Sequence, residues 1–239
     1  MKTAGMLCAL CAIAFGSVSV EAIDCAAFVN PWIGTEGNGH ATVAAAYPLG
    51  MVQAGPDTGT ESWDYASGYR NGDTELYGFS QNHMNGTGVP ELGDLLILPF
   101  SDSTFPVPTP ARASPSATRF ARGIRSPVSF DKSSELATPG YYAVTLGSGI
   151  RCEAAASQRC AIWRFTYPDG ANAKLLVDMQ WGLVWEKMDE HVKCANVEIS
   201  KSNGQCPIAE GDEAERCIPQ IVTGWAETKS STSSGAIIE

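Results

Sequence analysis

The chain has 239 residues, of which 44% are hydrophobic and 18% are charged, and its formal net charge is -10. This acidic balance argues against binding to nucleic acid or to anionic membrane surfaces, because both attract basic patches. Beyond the first twenty-odd residues, no stretch approaches the roughly 18 apolar residues that a membrane-spanning helix needs.

The N-terminal segment has the pattern of a secretory signal peptide. Lys2 provides a short positive start, residues 6–20 are almost entirely apolar or small, and Ala22 ends an acceptable cleavage site. We therefore predict a signal peptide over residues 1–22 and a secreted or periplasmic protein. The mature residues, 23–239, are compatible with one large all-β domain.

Six cysteines follow the predicted signal peptide: Cys25, Cys152, Cys160, Cys194, Cys206 and Cys217. An even number of cysteines in an exported chain favours disulfides, although six cysteines allow 15 pairings and the sequence does not choose among them. A zinc site is less favoured, because zinc ligands usually come as close pairs such as CxxC.

Short runs of β-branched and aromatic residues, bounded by turn-forming residues, predict an antiparallel β-sandwich or barrel. The clearest runs are residues 92–100, 141–146, 150–156, 161–167 and 174–179. In the run 161–167, Trp163 and Phe165 fall on one face and Ile162 and Arg164 on the other, which indicates a half-buried strand. Ser148-Gly149 predicts a tight hairpin between two runs.

Two segments depart from this strand pattern. Residues 101–131 contain prolines, serines and four arginines (Arg112, Arg119, Arg122 and Arg125), and they predict a long surface loop, with a basic ligand-binding patch as the alternative. The last residues, AIIE, read as the start of a strand. We therefore expect the sandwich to be truncated at its C-terminal end.

The polar and aromatic residues that could carry chemistry concentrate between residues 30 and 94. The Walker, HExxH and GxSxG motifs are absent, and the three histidines, His40, His83 and His191, are far apart in sequence. Trp63 beside Asp64, and His83 among amides, are residue types that hold a sugar: an indole packs on the C–H face of a pyranose while polar groups bind its hydroxyls. The alternatives are a tryptophan in the core and a solvated loop histidine.

Several motifs in this region occur in a family order. They are VNPWIGTEGNGH, YPLGMVQAGPDTG, WDYASGY and GFSQNHMNGTGVPELGD, followed later by SFDKSSELATPGYYAV. Over residues 29–178 the chain closely resembles the amino-terminal domain of glycoside hydrolase family 92, the calcium-dependent exo-α-mannosidases.

The resemblance implies the β-sandwich half of a two-domain enzyme. The sandwich would be of the galactose-mutarotase-like kind and would pack against a helical (α/α) barrel that this chain lacks. In such enzymes one carboxyl group protonates the leaving oxygen and another activates water, with inversion. By the family pattern, both carboxylates and most Ca²⁺ ligands lie on the barrel, so no catalytic residue is expected in this chain.

The resemblance also implies which residues form one wall of a mannose pocket that binds a mannose-containing glycan. The candidate substrate-binding residues are Trp63, Asp64, His83, Asn85 and Thr87. The polar segment 78–91 would be a rim loop facing the barrel. The alternative function is a free-standing carbohydrate-binding or structural β-sandwich without catalysis.

Overall fold

The computed structural model describes residues 24–59, 63–101, 127–179, 181–183, 192–201, 220–228 and 236–238. The predicted signal peptide, His191, Cys206, Cys217 and the four arginines of the predicted loop lie outside the described residues. Within the described part, the regular structure is two short 3₁₀ turns, Cys25–Phe28 and Trp63–Tyr65, and thirteen β-strands.

The first sheet has five strands in the order β1-β2-β4-β5-β10. These strands are β1 (Ala45–Ala46), β2 (Gln53–Asp57), β4 (Gly78–Ser80), β5 (Leu96–Phe100) and β10 (Lys174–Asp178). All pairs are antiparallel, and β2 faces β4 with Gly55 opposite Ser80. This antiparallel register places Asp57, the last residue of β2, opposite Gly78, the first residue of β4, and the Asp57 side chain reaches back to Ser80 at the candidate site.

The second sheet also has five antiparallel strands, in the order β3-β6-β7-β8-β9. They are β3 (Glu75–Leu76), β6 (Val128–Thr138), β7 (Tyr141–Leu146), β8 (Arg151–Ala156) and β9 (Ala161–Thr166). A third sheet contains β11 (Val192–Lys201), β12 (Gln220–Thr228) and β13 (Ala236–Ile238).

The core lies between the two five-stranded sheets. Phe79 on β4 packs against Tyr142 on β7 and Trp163 on β9, with ring centroids 6.5 and 4.9 Å apart. Leu98 and Val144, from opposite sheets, are fully buried in the same cluster. Burial of such apolar surface is the main stabilising contribution to a sandwich, and the predicted all-β antiparallel sandwich is confirmed.

Two sequence predictions about β-structure hold in detail. Along β9, Trp163 and Phe165 are half-buried while Ile162 and Arg164 are exposed, as the alternation predicted. Ser148-Gly149 joins β7 to β8, because the Gly149 N–H donates to the Leu146 carbonyl at 2.8 Å and glycine adopts the required positive φ of 84°.

Two predicted boundaries differ from the structure. The strand predicted over residues 92–100 begins only at Leu96, because Leu92, Gly93 and Leu95 all have positive φ and interrupt the extended backbone. The loop predicted over residues 101–131 overlaps β6, which begins at Val128 and pairs with β3. The polar residues of β6 fit into the sheet because the pairing of β6 with β7 is irregular between Asp131 and Leu136.

The four described cysteines are free thiols, so the structure contains none of the predicted disulfides that would join two of them. Cys152 is fully buried on β8, whereas Cys25, Cys160 and Cys194 are exposed to solvent. Cys206 and Cys217 lie outside the described residues, so their predicted participation in disulfides stays a prediction. No helix in the described ranges is long and apolar enough to cross a bilayer.

Candidate functional site

A buried ion pair lies where β2 meets β4. The Asp57 and His83 side chains are both fully buried, and His83 Nε2 lies 3.2 Å from Asp57 Oδ1. The other carboxylate oxygen, Asp57 Oδ2, accepts a hydrogen bond from the Ser80 N–H at 2.9 Å. The carboxylate therefore ties the end of β2 to the end of β4 and to the segment that follows it.

The surroundings of His83 favour protons on both ring nitrogens, although the Ser80 hydroxyl, 3.0 Å from Nε2, can either accept from that nitrogen or donate to it. Nδ1 lies 2.8 Å from the Gln53 carbonyl, which can only accept, and Nε2 faces the Asp57 carboxylate. Burial by itself lowers the pKa of His83, but the Asp57 carboxylate, the Gln53 carbonyl and the charge of Asp94 together raise the pKa above its ordinary value. The imidazole is thus protonated more readily than that of an ordinary histidine, and it is paired with Asp57.

Gly68 covers this ion pair. Its φ is +78°, and a Cβ atom at this position would lie 2.6 Å from Asp57 Oδ1 and 3.2 Å from His83 Cδ2. The turn that contains Gly68 is attached to Thr58, the residue that follows β2. The Thr58 N–H donates to the Gly68 carbonyl at 2.7 Å, and the Arg70 N–H donates to Thr58 Oγ1 at 3.0 Å. The PDTG and SGY motifs therefore form one interlocked unit.

A second buried carboxylate holds Tyr69 from the other side. Glu135, on β6, accepts hydrogen bonds from the Tyr69 hydroxyl at 3.0 Å, the Tyr142 hydroxyl at 2.8 Å and the Lys132 ammonium at 2.6 Å. Burial and the charge of Glu135 raise the pKa of Tyr69, so its hydroxyl stays protonated and donates. The Lys132 ammonium also lies 5.5 Å from the ring centroid of Trp32.

Trp63 presents an indole at the surface above this supported turn. It begins the 3₁₀ turn Trp63–Tyr65, and 46% of its area is exposed. The six-membered ring lies over Gly88, where a Cβ atom would meet Trp63 Cη2 at 2.6 Å. The His40 ring lies against the indole edge-on, with centroids 4.6 Å apart and an interplanar angle of 83°. The indole is thus a half-exposed platform with defined neighbours.

The loop of residues 85–88 lies beside this platform. The side-chain oxygen of Asn85, Oδ1, accepts a hydrogen bond from the Thr42 N–H at 2.7 Å, and the side-chain nitrogen Nδ2 donates to Gln53 Oε1. The Gly86 N–H donates to the His40 carbonyl at 2.6 Å. Thr87 is exposed, and its hydroxyl accepts from the Val89 N–H at 3.3 Å. Asn85 therefore acts mainly as a clamp between loops.

Asp64 extends the same surface with an exposed carboxylate. Asp64 Oδ2 lies 3.4 Å from Arg70 Nη1, and Arg70 Nη2 lies 3.9 Å from Glu36 Oε2. These ion pairs are largely solvated, so they contribute at most about 1 kcal/mol each. They leave Asp64 able to accept a further hydrogen bond.

The structure brings together four of the five residues predicted to bind substrate. Trp63, Asp64, Asn85 and Thr87 lie on exposed segments around the indole, whereas His83 is only 2% exposed and lies beneath them. The expectation of a rim position does not describe His83, because Asp57 and Gln53 bind both of its ring nitrogens and draw it inside.

Sequence reasoning did not single out Asp57 or His40 as candidate site residues. Asp57 lies 26 positions from His83, so nothing local in the sequence indicates their ion pair. His40 follows three glycines in GTEGNGH, a signal that marks unusual backbone but not the contact with Trp63.

Within the described ranges, no three His, Cys, Asp or Glu side chains are grouped so as to hold a metal ion. The described residues therefore do not fit a resident Ca²⁺ site on their own. Ca²⁺ usually takes six to eight oxygen ligands at about 2.3–2.6 Å, so a site would need ligands in addition to those in this part of the chain.

Comparison with known proteins agrees with this architecture. Residues 28–215 match the sequence model of the glycosyl hydrolase family 92 N-terminal domain. The fold is similar to the solved structure of a family GH92 alpha-mannosidase from Bacteroides thetaiotaomicron in complex with mannoimidazole, with 31% identity and a TM-score of 0.63. That similarity covers 86% of this chain and 23% of the mannosidase.

Two further relatives share part of their length with this chain. A GH92 family glycosyl hydrolase, ccman5, has the same fold, with a TM-score of 0.64, 22% identity, and coverage of 89% of this chain and 25% of its own. An uncharacterized secreted glycosidase from Arthroderma benhamiae is 29% identical over 164 residues, which are 65% of this chain and 20% of the relative.

The chain thus spans a quarter or less of the length of each of these relatives. The match to the family model nevertheless covers most of the chain, and the all-β sandwich agrees with it. The chain belongs to glycosyl hydrolase family 92, and residues 28–215 correspond to the N-terminal domain of that family.

Proposed function

We propose that this chain is the sandwich half of an exported, calcium-dependent α-mannosidase and forms one wall of its mannose pocket. The observation that carries the proposal is the half-exposed Trp63 indole, seated on Gly88 and surrounded by polar groups. The family membership and the similarity to a GH92 alpha-mannosidase support mannose as the sugar.

The role of this chain in the reaction is to bind and orient the sugar. The exposed face of the indole would pack on the C–H groups of a terminal mannose, and Asp64 and Thr87 would bind its hydroxyls. The buried pair of Asp57 and His83 would keep the turn that carries Trp63 in place, because Gly68 of that turn rests directly on it. Such pre-organisation lowers the entropy that binding must overcome.

The proton transfers are proposed to take place on a helical barrel domain. Inverting glycosidases place a general acid and a general base roughly 6.5–9.5 Å apart across the scissile bond. Asp57 is fully buried and bound to His83, so it is not suited to either step, and Asp64 is proposed to bind sugar hydroxyls rather than to transfer protons. Ca²⁺ would supply charge that binds sugar hydroxyls, and its ligands are likewise proposed to lie on the barrel.

Export is part of the same proposal. The predicted signal peptide over residues 1–22 supports it, as does the similarity to a fungal relative that is described as secreted. A secreted or periplasmic enzyme meets mannose-containing glycans such as N-glycans and mannans outside the cell.

The test measures mannose release from α-mannosides by the full-length gene product. Trp63→Ala should raise KM about tenfold or more, since loss of about 1.4 kcal/mol of stacking corresponds to a factor of ten. The matched control is Trp225→Ala, because Trp225 is a similarly exposed indole, 42% against 46%, on β12. The control should leave KM unchanged.

Four outcomes would count against parts of the proposal. Absence of mannose release by the full-length protein would refute the activity, and binding of mannosides without release would favour a carbohydrate-binding domain. Equal KM values for Trp63→Ala and Trp225→Ala would refute the pocket wall. Activity that survives chelation of Ca²⁺ would refute the calcium dependence.

A further inference from the structure

His40 carries buried polar atoms that bind nothing in the described structure. The residue is 6% exposed, and neither Nδ1 nor Nε2 has a hydrogen-bond partner within the described residues. The Thr42 hydroxyl, two residues further on, is also buried and unpartnered there. Each such group destabilises a fold by about 1–3 kcal/mol, so native proteins almost always provide it with a partner.

The backbone of His40 is held in an unfavourable conformation as well. Its φ is +48°, in the left-handed region that non-glycine residues seldom adopt. Two hydrogen bonds flank and fix this conformation: the Gly86 N–H donates to the His40 carbonyl at 2.6 Å, and the Ala41 N–H donates to the Gly34 carbonyl at 3.0 Å. Strain that the surroundings enforce in this way is typical of ligand-binding positions.

The location of the ring connects these features with the candidate site. The imidazole lies edge-on against the half-exposed Trp63 indole, 4.6 Å away between centroids. The other part of the indole rests on Gly88, where a Cβ atom would meet Trp63 Cη2 at 2.6 Å, so the indole covers both the His40 ring and the Gly88 backbone. A turn of the indole away from His40 would expose the ring nitrogens to whatever stacks on Trp63.

We propose that His40 is an additional sugar-binding residue of the proposed pocket, whose imidazole hydrogen bonds a hydroxyl group once the Trp63 indole turns to stack on the sugar. This inference rests on the proposed function. A neutral imidazole offers one donor and one acceptor, and a sugar hydroxyl can satisfy either, because it both donates and accepts. Thr42 would provide a further hydroxyl for the same sugar.

The experiment compares the binding of methyl α-mannoside to the full-length protein and two variants by calorimetry. His40→Phe keeps a flat ring against Trp63 but removes both nitrogens, and it should bind roughly three- to tenfold more weakly, the loss expected for one hydrogen bond. His40→Asn keeps a donor and an acceptor and tolerates positive φ, so it should bind more tightly than His40→Phe.

The outcomes separate this inference from the proposed function. If the wild-type protein binds the mannoside and His40→Phe binds within twofold of it, or His40→Asn binds no better than His40→Phe, the inference is overturned and the pocket stands. If the wild type does not bind the mannoside, the proposed pocket itself is refuted.

A structure of the wild-type protein with the mannoside bound tests the contact independently of how the variants fold. A sugar hydroxyl within about 3.2 Å of a His40 ring nitrogen would support the inference, since that is the range of a hydrogen bond. A water molecule alone at both nitrogens would overturn it.

Discussion

The buried pair of Asp57 and His83 makes a prediction about how stability depends on pH. A group whose pKa is higher in the folded state contributes stability that is present below its unfolded pKa and is lost as pH rises through the folded pKa. Because the pKa of His83 is raised, the free energy of unfolding should decrease as pH rises above about 6.5, the ordinary histidine value. The slope is at most about 1.4 kcal/mol per pH unit for one proton.

Two substitutions of Asp57 separate the charge of the pair from its hydrogen bonds. Asp57→Ala removes the acceptor of both the His83 ring and the Ser80 N–H, and it leaves a buried cation without its partner. We expect it to cost about 3–5 kcal/mol, the range for breaking a buried ion pair. Asp57→Asn has the same shape, and its amide can donate to a neutral His83 while its oxygen still accepts from Ser80.

Asp57→Asn should therefore cost only about 1 kcal/mol at pH 7 yet reverse the pH dependence. Without the carboxylate, burial lowers the pKa of His83, so the stability contribution is lost as pH falls below about 6.5. Urea unfolding between pH 5 and 9, followed by tryptophan fluorescence, measures both slopes. Identical pH profiles for the wild type and Asp57→Asn would refute the paired imidazolium at His83.

Two further predictions concern the residues that support the site. Gly68→Ala should destabilise the protein by at least about 2 kcal/mol, because the new Cβ meets Asp57 at 2.6 Å and the backbone is also strained in the left-handed region. The control, Gly170→Ala, has a φ of +74° and open space around it, so it measures the backbone strain alone. Equal losses of stability in urea for the two variants would contradict the contact between position 68 and Asp57. Glu135→Gln should cost about 2 kcal/mol, because three donors lose a buried carboxylate. Glu153→Gln should cost under about 1 kcal/mol, because the carboxylate is partly exposed and its partner Arg164 is largely solvated; the reverse order of thermal stability would be inconsistent with the structure.

The strands were predictable wherever apolar residues alternate or form short runs between turn signals. Residues 141–146 are predicted and observed as one strand, since a hydrophobic run between Pro-Gly and Gly-Ser turns has few alternatives. The start of β6 was not predictable, because its polar residues include Lys132 and Glu135, whose burial depends on Tyr69 and Tyr142 from distant segments.

The candidate site shows the same division. Trp63, Asp64 and the segment 85–88 are recognisable from residue type and motif order, because a tryptophan among glycines and polar residues is typical of a sugar platform. His83 was predicted as a rim residue, since nothing within its own loop indicates that an aspartate 26 residues earlier holds it in the interior.

The sequence by itself determined the all-β architecture and the family, because the first depends on local pattern and the second on motifs in a set order. The tertiary structure alone decided which polar residues became buried supports and which remained at the surface. The physical reason is that burial of His83 and Glu135 is possible only with the oppositely charged or hydrogen-bonding partners that distant strands bring to them.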